Sequence, residues 1–593
     1  MKKISIILLS SLLFCSCEDL LSPAIENNKE LSDMYTDPDY AMGLLGTSYV
    51  LIPYVYQAIP QSDVATDDAV SNDYTNDYLK MATGSWTSSV SAVSQWQTRR
   101  NAIQYTNLFL ANCDEVQWSS DETLREMFND RLKGEAYAMR ALQMYFLLLA
   151  HGGWSNSNEL LGVPIVTEPE GGDTNFNIPR NTFQECIDQV FADLSAAEEL
   201  LPYDYKIHDS SEIPQKYIDL GVTSSDYYDR VNGASSKGRI SGRIAQAIRV
   251  QVALLAASPA YSEGTDVTYE DVAEYAAELL NTIGGDSGLS AVGATWYCDN
   301  VDNVSSGDNP DEIIWRSNVS SNNDLESENF PPTLYGNGRV NPTQNLVDAF
   351  PMLNGYPIDD EVNSGYNDQD PYTNRDPRLA TYILLNNATQ GPANTSIVTG
   401  TYGTTINSIN RESGQSTRTG YYLRKLTRAS CNPDPIYNTT AKHYTAYIRY
   451  TEMFLAYAEA ANEAYGPKGT APSAAYSAYD VIKAIRTRAG IDSSDPYLES
   501  CATSTESMRE LIRNERRLEL CFENIRFWDL RRWMCDLTET ARGVEISLGS
   551  NGSTLVYKSI DVEKRNYQDY MNYGPVPYEE ICKWSMLEQN KGW

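Results

Sequence analysis

The stretch Leu511–Trp533, LIRNERRLELCFENIRFWDLRRW, decides how the chain is read. Leu511, Glu515, Leu518, Phe522, Ile525 and Asp529 recur at helical spacing, which sets two acids on an apolar stripe. Buried acids are catalytic candidates, and a carboxylate pair is what a glycosidase needs. The neighbours argue against that use. Arg516 and Arg517 follow Glu515, and Arg531 and Arg532 follow Asp529. Arginine beside a carboxylate lowers its pKa, the wrong direction for a general acid. One continuous helix would also hold the two acids about 21 Å apart, against roughly 5 to 10 Å in glycosidases. That distance is conditional, because Asn524 is a residue at which the helix can break. The stretch reads as a structural ion-pair network, and no catalytic residue is assigned.

Outward from it, helical periodicity recurs. In 131–150 the stripe is Leu132, Ala136, Met139, Leu142, Phe146 and Leu149. The segment 180–202 opens on a capping box, Thr182 with Glu185, and closes at Pro202. Residues 239–257 are apolar almost all round, which predicts a buried helix. Further helices are expected near 100–113, 269–283, 447–465, 474–490 and 505–522. They come in pairs, as stacked helical hairpins do, without a strict 34-residue repeat. Two irregular tracts, about 60–98 and 284–440, are rich in Asn, Asp, Gly, Ser, Thr, Tyr and Pro. Loops that long are functional or disordered, and their aromatic content argues against disorder.

Composition supports a binding role. The chain has 41 Tyr and 10 Trp against 12 Phe. A flat apolar ring with a polar edge suits a wet binding surface. The net charge of −34 repels nucleic acid and anionic headgroups. Enzyme signatures such as GxSxG, a Walker A loop and HExxH are missing, and GNGRVN (336–341) lacks the third glycine of a dinucleotide fingerprint. The three histidines, His151, His208 and His443, are scattered, so no metal ligands and no cofactor are assigned. The acid-rich DDEVNSGYNDQD (359–370) misses the EF-hand order and reads as a solvated loop.

The N-terminus is an export signal: Met1-Lys2-Lys3, then an apolar run from Ile4 to Phe14 that is too short to span a bilayer. Phe14-Cys15-Ser16-Cys17 resembles a bacterial lipobox, with cleavage before an acylated Cys17. Several acyl chains would hold the protein on a membrane without spanning it. Residues 1–16 then form the signal peptide, 17–35 the lipidated tether and 36–593 a single domain. The other eight cysteines form no CxxC and no dense framework, and most read as buried small hydrophobes.

Several motifs together resemble the SusD/RagB family of outer-membrane nutrient-binding lipoproteins. In order they are KGEAYAMRALQMYFLLLAHGGW (133–154), GVPIV (162–166), GRISGRIAQAIRVQVALLAASP (238–259), RDPRL (375–379), GYYLRKL (420–426), IRYTEMFLAYAEAANEAYG (448–466), VIKAIRTRAGI (481–491), ERRLELCFENIRFWDLRRW (515–533) and GPVPYEEI (574–581). Asn524 stands where the family often has Gly. The resemblance implies a mostly α fold with a tetratricopeptide-like helical hairpin scaffold and loop-rich insertions. It also implies exposure at the cell surface, an oligosaccharide or, in some members, a peptide as cargo, and a SusC-like TonB-dependent transporter as partner. Glu18 and Asp19, after Cys17, resemble a surface-export signal. From position and chemistry, the expected ligand-binding residues are Asp67, Tyr74, Tyr78 and Trp86 in the first tract and Trp296, Tyr335, Asn337 and Arg339 in the second. Trp315 is expected in a buried strand, and Trp96 at the start of a core helix.

Overall fold

A computed structural model describes residues 31–53, 62–298, 304 and 307–593. The signal peptide, Cys17 and the tether as far as residue 30 lie outside the described residues. The scaffold is helical: α1 (Pro38–Val50), α2 (Trp96–Asn112), α3 (Glu122–His151), α4 (Phe183–Leu200), α5 (Gly242–Ala257), α6 (Tyr269–Asn281), α7 (Tyr450–Tyr465), α8 (Ala478–Ala489), α9 (Thr505–Leu520) and α10 (Arg526–Arg532). Each packs on the next from α1 to α8, and α9 closes against α7, so the helices form a tetratricopeptide-like stack. The capping box holds: Thr182 accepts the Glu185 N–H and Glu185 accepts the Thr182 N–H, which fixes where α4 begins. α5 buries residues on every side, as its apolar composition requires. Trp96 is buried at the start of α2. Helix α1 lies where periodicity gave no signal. Gly43 and Gly46 dilute its apolar face, and Asp37 caps it by accepting the Tyr40 N–H.

The irregular tracts are pinned by short antiparallel pairs: β1 (Ala69–Ser71) with β4 (Val340–Pro342), β2 (Ile313–Arg316) with β6 (Ala446–Arg449), and β3 (Ser320–Asn322) with β5 (Ala441–His443). Trp315 lies buried in β2, as expected.

The opening stretch is not one helix. α9 ends at Leu520, Phe522 and Asn524 take positive φ of 62° and 63°, and α10 starts at Arg526. The break separates the two acids into different clusters. Glu515 and Glu519, both fully buried, share Arg378 at 2.9 Å. Glu515 also meets Arg486 at 2.7 Å and Glu519 meets Arg488 at 2.8 Å. Asp529 sits between Arg516 and Arg532, each at 2.8 Å. Arg449 joins Glu312 of the second tract to Glu523, and Lys425 caps Glu523 at 2.6 Å. Arg517 and Arg526 clamp Asp67 and Asp68 of the first tract. The network therefore ties both loop tracts to α7–α10.

Burial alone would raise the Glu519 carboxyl, but Arg488, Arg378, Arg449 and Lys425 hold it at about 2. Its contribution is present above the unfolded carboxylate range and is lost as pH falls from about 4.5 toward 2. Glu519→Gln takes a buried carboxylate from Arg488 and from Arg378, which keeps Asp376 and Glu515, and is expected to cost about 3 to 5 kcal/mol near neutral pH, read by urea unfolding. A cost below about 1 kcal/mol would contradict this view of the network.

Candidate functional site

The β1–β4 pair brings the two tracts edge to edge. Asn72 donates through Nδ2 to the Asn337 carbonyl at 2.9 Å, and its own N–H bonds the Arg339 carbonyl. Arg339 reaches the Gly414 carbonyl at 3.1 Å and Glu328 at 3.4 Å. Tyr74 is exposed beneath the Arg418 guanidinium, 5.0 Å from its ring centre. Tyr335 is also exposed, holds a left-handed φ of 64°, and its hydroxyl bonds Asp434. Four of the expected residues, Tyr74, Tyr335, Asn337 and Arg339, thus lie on or near one outer face.

The other four are placed differently. Trp86 is 3% exposed, packed against Phe527, Tyr567 and Trp593 with Arg531 over its ring. Its indole N–H is spent on Ser91. This ring is core, and Arg531 over it donates to the Met571 and Phe527 carbonyls while its face meets the aromatic rings. Asp67 is buried between Arg517 and Arg526, which outweigh its burial and hold its carboxyl well below the usual range. Its charge is satisfied internally. Tyr78 is half-buried between two core clusters, and burial lifts its hydroxyl to about 12. Trp296 is 2% exposed, set against Tyr297 and Tyr444. It reaches a binding surface only as part of a wall.

That wall belongs to a cavity of about 740 Å³ between the helical stack and the second tract. Four half-exposed rings line it: Tyr49 from α1, Tyr145 from α3, Tyr447 from β6 and Trp528 from α10. Trp315 backs Tyr447 edge-on at 4.9 Å and is anchored by its N–H to the Gly238 carbonyl. Tyr49 is fixed by its hydroxyl to Glu135 at 2.8 Å. Trp528 stands edge-on to Phe527, with ring centres 4.9 Å apart. Asn318, Asn322, Arg316 and Gln251 supply polar edges. A cavity of this size with flat rings and a few polar groups suits a small ligand.

Glu452 and Asp529 also line it, with carboxyls pushed in opposite directions. Burial raises Glu452, while Arg516 and Arg532 overcome burial and lower Asp529. Such a split can mark an acid–nucleophile pair. Here both Asp529 oxygens are taken, by Arg516 and Arg532, and Glu452 accepts from Gln251 at 2.9 Å. Asp529 is therefore saturated, while Glu452 spends one oxygen on Gln251.

Two family models match. One described as the SusD family covers residues 303–593, and one described as starch-binding and associating with the outer membrane covers 39–216. The chain belongs to the SusD/RagB family. A SusD-like protein from Bacteroides fragilis superposes with a TM-score of 0.71 at 23% identity, covering 96% of this chain and 100% of its own. A SusD-like carbohydrate-binding protein from the same species gives 0.66 at 20%, covering 93% and 99%. A laminarin-binding SusD-like protein gives 0.55 at 18%, covering 94% and 100%. No curated protein sequence matches. Among the described residues of this SusD/RagB chain, no helix is long and apolar enough to cross a membrane.

In this SusD/RagB chain the cavity rings Tyr447 and Trp528 were not expected at the site, because Tyr447 falls in a segment expected to be helical and Trp528 in a motif that reads as structural. Asn524, also on the cavity rim, has its backbone N–H held by Asp63 at 2.9 Å. Burial and then the like charge of Asp68 push the Asp63 carboxyl up to about 7. The folded state therefore keeps a proton that the unfolded state has released, and stability falls as pH rises from about 4 to 7. Asp63→Asn removes that slope. Relative to the parent protein it should gain roughly 1 to 3 kcal/mol between about pH 5 and pH 8, measured by denaturant titration.

Proposed function

We propose that this protein is a cell-surface glycan-binding lipoprotein, acylated at Cys17, that captures an oligosaccharide and hands it to a SusC-like TonB-dependent transporter over which it closes as a lid. The observation that carries the reading is the aromatic cavity. Sugars offer apolar C–H faces to flat rings and hydroxyls to Asn, Gln and Arg, and the cavity supplies both. Family membership and the match to a starch-binding, outer-membrane-associating family model support the ligand class and the outer-membrane setting. The saturation of Asp529 by arginines favours binding over hydrolysis.

The outer face is a second place for sugar contact. Tyr74 under Arg418, with Asn337 and Arg339 alongside, is exposed and needs no cavity entry. Peptide cargo is the rival ligand class, and a peptide mixture co-purifying with a transporter complex would favour it.

A panel of soluble polysaccharides, screened by affinity electrophoresis, is expected to give at least one retarded mobility. Trp528→Ala should weaken that binding by about 1 to 3 kcal/mol with little loss of stability. Trp86→Ala should instead destabilise the fold by about 3 to 5 kcal/mol. No binding across the panel, or turnover of a glycan, would contradict the proposal.

A further inference from the structure

Glu326, Cys431 and His443 come from three separate segments and converge. Each offers one ligand atom, and these atoms all lie within 4.8 Å of one another. His443 Nε2 is 3.2 Å from Glu326 Oε2 and 3.9 Å from Cys431 Sγ. The β3–β5 pair sets His443 opposite Ser320, and Glu326 follows in the short helix Asp324–Asn329. Cys431 precedes the Asn432–Thr439 bridge, so its loop is closed on itself.

The carboxylate of Glu326 is the informative group. It is fully buried, yet no Lys or Arg among the described residues pairs with it. Oε1 accepts the Arg428 backbone N–H at 2.6 Å, while the Arg428 side chain turns to the carbonyls of Tyr297 and Lys442. Oε2 is buried, and among the described residues it meets the His443 Nε2 at 3.2 Å and the Cys431 thiol. Buried charges are paired or bind metal. Here the groups facing Oε2 are an imidazole and a thiol, both of which also bind metal.

We propose that Glu326, Cys431 and His443 form a three-ligand site for Zn²⁺ or a similar borderline-soft divalent cation. A tetrahedral Zn²⁺ with Zn–S about 2.3 Å and Zn–N and Zn–O about 2.0 Å places S and N about 3.5 Å apart and N and O about 3.3 Å apart. The observed 3.9 and 3.2 Å need only small adjustments. Mixed sulfur, nitrogen and oxygen donors favour Zn²⁺ over Ca²⁺ or Mg²⁺, which take oxygen. Three protein ligands leave a fourth position for water. His443, Asn322 and Asp324 all line the aromatic cavity, so the metal would stiffen its rim. The site does not depend on what the cavity binds.

The test uses the mature full-length chain in a Cys298→Ser, Cys582→Ser background, which removes the two exposed thiols among the described residues. After metal removal and Zn²⁺ addition, gel-filtered protein should keep roughly one Zn²⁺ per chain, with absorption fine structure showing one sulfur at about 2.3 Å. Glu326→Gln and His443→Gln should each weaken Zn²⁺ binding more than about tenfold in chelator competition. A zinc environment without sulfur, or equal retention by Cys431→Ser, overturns the proposal. The parent spectrum decides the matter even if a variant fails to fold.

Discussion

Everything in this molecule hangs on buried arginine–carboxylate pairing around α9 and α10. Glu515, Glu519, Glu523 and Asp529 would each be costly to bury alone. Arg378, Arg486, Arg488, Arg449, Arg516 and Arg532 make the burial tolerable, because the fork of each guanidinium meets carboxylate oxygens at hydrogen-bond distance. The partners come from far apart in the chain. Arg378 lies in RDPRL, Arg449 in IRYTE, Arg486 and Arg488 in IRTRAG. The motifs that carry the family resemblance are thus the segments that must meet for the charges to cancel. Apolar packing alone would allow the long tracts many docking positions, whereas a buried charge with one partner allows few.

That constraint reaches function through position. Arg449 ends β6, which carries Tyr447, and Asp529 follows Trp528. The pairs that hold the backbone therefore also fix the angle at which these rings face the cavity. The same pairs neutralise Asp529 and Glu523 in the cavity wall. A carboxylate saturated by two guanidinium groups is a poor nucleophile and a poor base, yet it leaves the surrounding rings and amides rigid. Rigid rings lose little entropy on stacking against a sugar.

Much of the scaffold was legible in the sequence, because helical stripes and the Thr182–Glu185 capping box are local signals. Helix α1 was not, since its glycines blur the stripe and its burial comes from α2. Of the residues expected to bind ligand, Tyr74, Tyr335 and Asn337 are exposed and Arg339 is half-buried, on or near one outer face joined by strand pairing that no local pattern predicts. Trp86 and Asp67 looked like ligand contacts because they lie in a polar tract. Their burial depends on Arg531, Arg517 and Arg526, more than 400 residues away in the sequence. Trp528 was hidden in the opposite way, inside a stretch whose charges explained it too well. Glu326, Cys431 and His443 have no motif spacing and become a cluster only in three dimensions.

The central claim is that the ion-pair network builds an aromatic cavity that takes the glycan. A crystal structure of the protein with the oligosaccharide that binds it tests this most directly. The account predicts sugar rings against Tyr447 and Trp528, with Asp529 still held by Arg516 and Arg532. Sugar density confined to the outer face at Tyr74 and Arg418, with the cavity empty, would contradict it.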